Sequence, residues 1–132
     1  MLSEFVIVCL TVFHEGSICD DAEMRAIART IQVRAKDQGK SYKEVCLAPN
    51  QYSCWNGKNK LRILELHTSG KLLQTPAWRR TVKVVREMFD GQLDCMTEWT
   101  HYYNPKSANP KWAWAMKDTK QFRYHIFGRI EG

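Results

Sequence analysis

Apolar positions follow a helical rhythm over most of the chain. From Ser3 to about His14 nearly every position is apolar, which predicts a helix buried on all sides, and Gly16-Ser17 breaks it. Asp20 or Asp21 can cap a second helix, and Asp20 with Glu23 has capping-box spacing. Met24, Ile27, Ala28, Ile31 and Ala35 then recur at helical spacing until Gly39. Ser41 to Leu47 reads as a short helix. Pro49 to Lys60, rich in Asn, Gln, Gly and Tyr, reads as a loop or short hairpin.

The clearest helix start is Thr75 as cap with Pro76 at the first helical position. Trp78, Val82, Val85 and Phe89 predict its buried stripe, and Gly91 closes it. Arg79, Arg80, Lys83 and Arg86 lie off that stripe, as a solvated basic face would. His101 to Pro110 carries two prolines, Asn104 and Asn109, and reads as a structured loop. Trp112 to Asp118 suits one more helix, and Gln121 to Phe127 alternates as a strand does. The class expected is α+β, mainly helical with a small β element. Neither a repeat nor a linker divides residues 1–132, so one domain is expected.

Composition narrows the partners. Twenty Lys+Arg against fourteen Asp+Glu give a formal charge of +6, which favours anionic partners such as nucleic acid, a membrane surface or an acidic wall polymer. The charges are interspersed and no zinc-finger or RRM motif appears, so nucleic acid is not expected. The longest apolar run, Phe5 to Phe13, is shorter than the roughly 20 residues of a membrane span, and neither Lys nor Arg precedes it as in an export signal. Stable membrane insertion is not expected, and synthesis in the cytoplasm is. The five cysteines, at 9, 19, 46, 54 and 95, resemble neither a disulfide framework nor a CxxC zinc site. Neither a metal nor an organic cofactor is indicated.

Glu15 is the first candidate for chemistry. It closes an apolar helix, where the negative end of the helix dipole and nearby Phe13 work against its ionised form, as a general acid requires. His14-Glu15 begins an HExxH, but position 18 is Ile, so the second zinc ligand is missing. Cys54 with His101 offers an alternative, the Cys/His pair of a wall amidase or endopeptidase. Gln51-Tyr52-Ser53-Cys54-Trp55-Asn56 and His101-Tyr102-Tyr103-Asn104-Pro105 mix aromatic faces with amide and hydroxyl groups. Sugar-binding clefts use that mixture, though such aromatics also serve as core.

Taken together, these residues resemble the SleB-like cell wall hydrolase family. Thr11-Val12-Phe13-His14-Glu15, with Ala26-Ile27-Ala28 and Arg34, resembles its first block, and Gln51 to Asn56 resembles Q-F-S-C-W-N. His101 to Pro105, then Ala108-Asn109-Pro110 and Trp112-Ala113, resembles H-Y-Y-N-P…A-N-P-x-W-A, and His125-x-Phe127 the closing H-x-F. One departure stands out. Where the family has Arg-Gly-Glu, this chain has Ser17-Ile18-Cys19, so a second carboxylate is absent at position 19.

The resemblance implies a lysozyme-like fold that cleaves the peptidoglycan strand between N-acetylmuramic acid and N-acetylglucosamine. It implies a lytic transglycosylase with Glu15 as general acid and base, and with Gln51, Ser53, His101 and Tyr102 lining the cleft. Trp55 and Tyr103 would stack on sugars or support the walls. A basic catalytic domain of this kind resembles a monomeric bacteriophage endolysin that reaches the wall after release from the host cytoplasm. The rivals are the Cys54/His101 enzyme and a non-catalytic basic module that binds wall or nucleic acid.

Overall fold

The computed structural model describes residues 2–131 and is mainly helical with one small sheet. Helix α1 spans Glu4–Gly16, with the Ser3 side chain accepting from Val6 N as cap. Its middle is buried all round, with Val8, Leu10 and Val12 at 0% exposure. Burying a side chain of this size stabilises by about 1.5–3 kcal/mol, so α1 is the axis of the core. Its one polar interior group is satisfied twice: Thr11 Oγ1 donates to Ile7 O at 2.8 Å and accepts from Trp55 Nε1 at 2.8 Å.

Helix α2, Asp21–Gln38, and short α3, Tyr42–Leu47, pack against α1. Gly39 ends α2 at φ 63°, a left-handed conformation that favours glycine, and Ser41 with Glu44 forms a full capping box on α3. At the start of α2 the box is incomplete. Asp20 accepts from Glu23 N, but the Glu23 side chain turns inward to His125 and Tyr124.

The expected loop at 49–60 stops early. A 3₁₀ turn covers Ser53–Trp55, and helix α4 runs Gly57–Thr68 where no helix was read. Only Ile63 of α4 is buried, so its apolar stripe is too thin to stand out among Lys58, Asn59, Lys60 and Arg62. Helix α5, Pro76–Phe89, opens as expected, with Thr75 Oγ1 accepting from Trp78 N. Its buried stripe is Trp78, Thr81, Val84, Val85 and Met88, displacing Val82 and Phe89 from the expected one. Phe89 instead sits at the rim, edge-on to Phe5 and Tyr42 at 5.3 Å each. Arg80 also leaves the solvated face, reaching back to Ser17 O at 3.2 Å in the turn after α1.

The expected loop at 101–110 begins as strand β1, His101–Tyr103, and a 3₁₀ segment, Lys111–Ala115, replaces the helix expected over Trp112–Asp118. The strand read at 121–127 is split by a tight turn, Phe122 N to His125 O at 2.8 Å, into β2, Lys117–Gln121, and β3, Ile126–Arg129. The antiparallel order is β1-β3-β2, with Tyr102 opposite Phe127 and His101 opposite Gly128. Phe127, at 0% exposure, plugs the central strand into the core against Trp99 and Tyr102. Guanidinium groups on α2 fix the approach to β1: Arg29 Nε donates to Thr97 O at 2.8 Å and Arg34 Nε to Thr100 O at 2.6 Å. The sheet is thereby held facing the C-terminal end of α1.

Candidate active site

Glu15 stands in the last turn of α1, where the chain must leave the core and the side chain reaches a cleft. The cleft holds about 220 Å³ and is lined by Glu15, Arg34, Asn50, Gln51, Tyr52, His101, Tyr102 and Trp112. Glu15 is the only carboxylate in that lining. Its side chain is 19% exposed, enough to meet a ligand while its environment stays mostly protein.

The two oxygens of Glu15 are unequal. Oε1 accepts from the Tyr102 hydroxyl at 2.6 Å, a short, charge-assisted bond. Oε2 lies 3.4 Å from His14 Nδ1. Burial, and then the Glu15 carboxylate itself, hold the Tyr102 phenol well above its ordinary range, so Tyr102 is a permanent donor. The register of β1 sets this contact. Tyr102 shares a face with Phe127, whereas its neighbours His101 and Tyr103 both meet Trp112, at 4.9 and 5.8 Å between ring centres.

His101 is kept neutral. Burial, and then the Arg34 guanidinium, bring its pKa down to about 4. Its Nδ1 lies 2.8 Å from Thr100 Oγ1, which already accepts from Ile130 N at 3.0 Å. Arg34 is the hub of the wall: Nε holds Thr100 O, and Nη1 donates to Gln51 Oε1 at 2.7 Å, so the Gln51 amide NH₂ is turned away from it.

Four of the expected residues therefore converge, Glu15, Gln51, His101 and Tyr102. Three do not line the cleft. Ser53 is exposed at the start of a 3₁₀ turn, and Trp55 spends its indole N–H on Thr11. Tyr103 braces Trp112 from the side. Arg34, Asn50, Tyr52 and Trp112 complete the lining. Arg34 and Trp112 stand in the sequence blocks quoted above, but nothing in their spacing shows that they meet the same cleft. Cys54 is fully buried, and burial pushes its thiol up to about 12, so it lacks the thiolate that a cysteine nucleophile needs. His101 Nδ1 is taken up by Thr100.

A larger groove of about 620 Å³ adjoins the cleft and shares Arg34, Gln51 and His101 with it. Its carboxylates, Asp37 and Glu131, are both held by Arg129, at 3.0 and 2.9 Å. Among the described residues no helix is long and apolar enough to cross a membrane.

A family model described as Cell Wall Hydrolase matches residues 20–128, most of the chain. The matched span takes in Arg34, Gln51, His101, Tyr102 and Trp112 and begins five positions after Glu15. No curated protein matches the chain significantly, and no solved structure does.

Proposed function

Because the chain belongs to the cell wall hydrolase family and is thereby a peptidoglycan-degrading enzyme, we propose that it cuts the glycan strand between N-acetylmuramic acid and N-acetylglucosamine with Glu15 as its acid and base. The observation that carries this reading is a single carboxylate in the cleft lining, with Oε1 held by Tyr102 and Oε2 3.4 Å from His14 Nδ1. Hydrolytic glycosidases generally work with two carboxylates flanking the bond. Asp37 and Glu131 are engaged by Arg129, and Glu23 is fully buried, which favours a scheme needing only one.

In that scheme Glu15 donates its proton to the glycosidic oxygen as the bond to the muramoyl anomeric carbon breaks. The muramoyl C6 hydroxyl then attacks that carbon and returns its proton to Glu15, closing a 1,6-anhydro ring without consuming water. Neutral His101 and the Gln51 amide orient N-acetyl and hydroxyl groups. Trp112, 37% exposed at the rim, offers a face for a sugar ring. The adjoining groove gives a polymer room to extend past the cut.

A glutamate at the end of a buried helix, facing a small antiparallel sheet, supports a lysozyme-like reading of the fold. The net charge of +6 suits an anionic wall, and the setting we propose is bacterial lysis by a phage-type endolysin. Glu15→Gln is nearly isosteric but cannot donate the proton. It should keep the melting temperature and sacculus binding and lose about 10²–10⁴ in turnover, the usual worth of general acid catalysis. A folded variant retaining more than about a tenth of wild-type turnover removes Glu15 from this role.

A further inference from the structure

Behind the Tyr102 ring lies a second cluster that the glycan reading does not use. Cys19, in the turn before α2, Glu23, one turn into α2, and His125, in the turn before β3, bring one ligand atom each to a common point. His125 Nδ1 is 2.7 Å from Glu23 Oε2 and 3.9 Å from Cys19 Sγ, and all three ligand atoms lie within 4.8 Å of one another. The cluster is nearly dry: Glu23 is 0% exposed, Cys19 2%, and the His125 side chain 12%.

We propose that Cys19, Glu23 and His125 form a binding site for a thiophilic divalent cation of the zinc type. The donor set is the first argument. One thiolate, one imidazole and one carboxylate suit zinc, whereas magnesium and calcium take oxygen ligands. Geometry is the second. Tetrahedral bonds of about 2.3 Å to sulfur and about 2.0–2.1 Å to nitrogen and oxygen place S···N near 3.6 Å and N···O near 3.3 Å. The observed separations are 3.9 and 2.7 Å, so the first must shorten by about 0.3 Å and the second open by about 0.6 Å to seat the ion.

Charge is the third argument. Glu23 is a fully buried carboxylate that meets His125 Nδ1 at 2.7 Å and the Tyr124 backbone N–H at 3.2 Å. A divalent ion at this point would pair with that buried carboxylate in place of a proton on His125 Nδ1. The Tyr124 N–H then acts as an outer-shell partner that orients the carboxylate. Access is the fourth. Cys19 and Tyr124 both line a surface groove of about 600 Å³, which gives the ion an entry path and leaves its fourth position to water. For Nδ1 to ligate, the His125 ring proton sits on Nε2, and the Cys19 thiol proton is released to solvent, with no change of oxidation state. Because the His125 ring stands edge-on to Tyr102 at 5.3 Å, the ion also stiffens the wall behind the Tyr102–Glu15 bond.

The test needs no peptidoglycan, so it stands or fails apart from the proposed activity. Chelator-stripped full chain is titrated with Zn²⁺ by calorimetry and with Co²⁺ by absorption. One equivalent should bind, Co²⁺ should give a thiolate charge-transfer band, and X-ray absorption of the Zn²⁺ form should show one sulfur among its ligands. Cys19→Ser should abolish the band and weaken Zn²⁺ binding by about 100-fold or more, beyond the usual cost of losing an outer-shell partner. Cys95→Ser, at the half-buried thiol, should change neither. Absence of stoichiometric binding to the folded wild-type chain overturns the proposal. So does a zinc environment with two sulfurs or none, or binding that survives Cys19→Ser.

Discussion

Tyr102→Phe isolates one bond. The phenyl ring keeps its packing against Phe127, 5.1 Å away, and against His125, so the core behind β1 is preserved. What is lost is the hydroxyl that holds Glu15 Oε1 at 2.6 Å. Hydrogen bonds to charged groups contribute about 1.5–3 kcal/mol, and because Glu15 is 19% exposed, water can take over part of that contribution in the resting protein. Stability should therefore fall by only about 1 kcal/mol. Orientation is not replaced by water. If the bond holds the carboxyl in line with the glycosidic oxygen through the transition state, its full worth appears in turnover, as a loss of about 10- to 100-fold. KM should stay close to wild type, since the hydroxyl faces Glu15 and not the sugar. Initial rates on purified sacculi across a range of concentrations, with melting curves on the same preparation, give both quantities. Wild-type turnover in the variant refutes the assignment of Tyr102 as the residue that positions Glu15. A large fall in melting temperature with unchanged kinetics makes the bond purely structural.

Other expectations follow from single contacts. His101 has a folded pKa of about 4 against about 6.5 unfolded, so the unfolded chain binds more protons below pH 6.5. Its contribution to stability is complete above about pH 6.5, declines as pH falls to about 4, and does not change further below that; with partial exposure discounted it amounts to about 1–2 kcal/mol. In His101→Gln this part of the pH dependence of unfolding should vanish, and an unchanged profile contradicts the burial argument. Cys54→Ser should leave lytic turnover within a few-fold of wild type; complete inactivation of a folded variant restores the cysteine enzyme. A Cβ added at Gly128 would lie 2.9 Å from Met116 Cβ and 3.1 Å from Thr119 Cγ2, so Gly128→Ala should cost about 1–3 kcal/mol by overpacking, read as a lower denaturation midpoint.

Helix starts were the most legible part of the fold, because a cap is a local event. Ser3, Asp20, Ser41 and Thr75 each accept from a backbone N–H three residues on. Elements with little periodic burial were not legible. Helix α4 buries only Ile63, and β1 has three half-buried residues next to a proline-bearing turn. The strand character of β1 comes from β3, more than twenty residues on, which a reading of local pattern cannot supply. The same divide runs through the site. Glu15, Gln51, His101 and Tyr102 carry their chemistry in their types and motifs, and they converge. Trp55 and Tyr103, expected to stack on sugars or support the walls, meet Thr11 and Trp112. Arg34 becomes the hub only once Gln51 and Thr100, 17 and 66 residues away, meet its guanidinium.

In the proposed scheme Glu15 alone supplies the proton and takes it back while the substrate's own hydroxyl makes the new bond. Mass spectrometry of purified peptidoglycan after digestion reads the outcome directly. The wild-type enzyme should release muropeptides ending in 1,6-anhydro-muramic acid, lighter by one water than hydrolysis products, and Glu15→Gln should release almost none. Reducing muramic ends from the wild-type enzyme contradict the one-carboxylate scheme, and free stem peptides with intact glycan strands contradict glycan cleavage altogether.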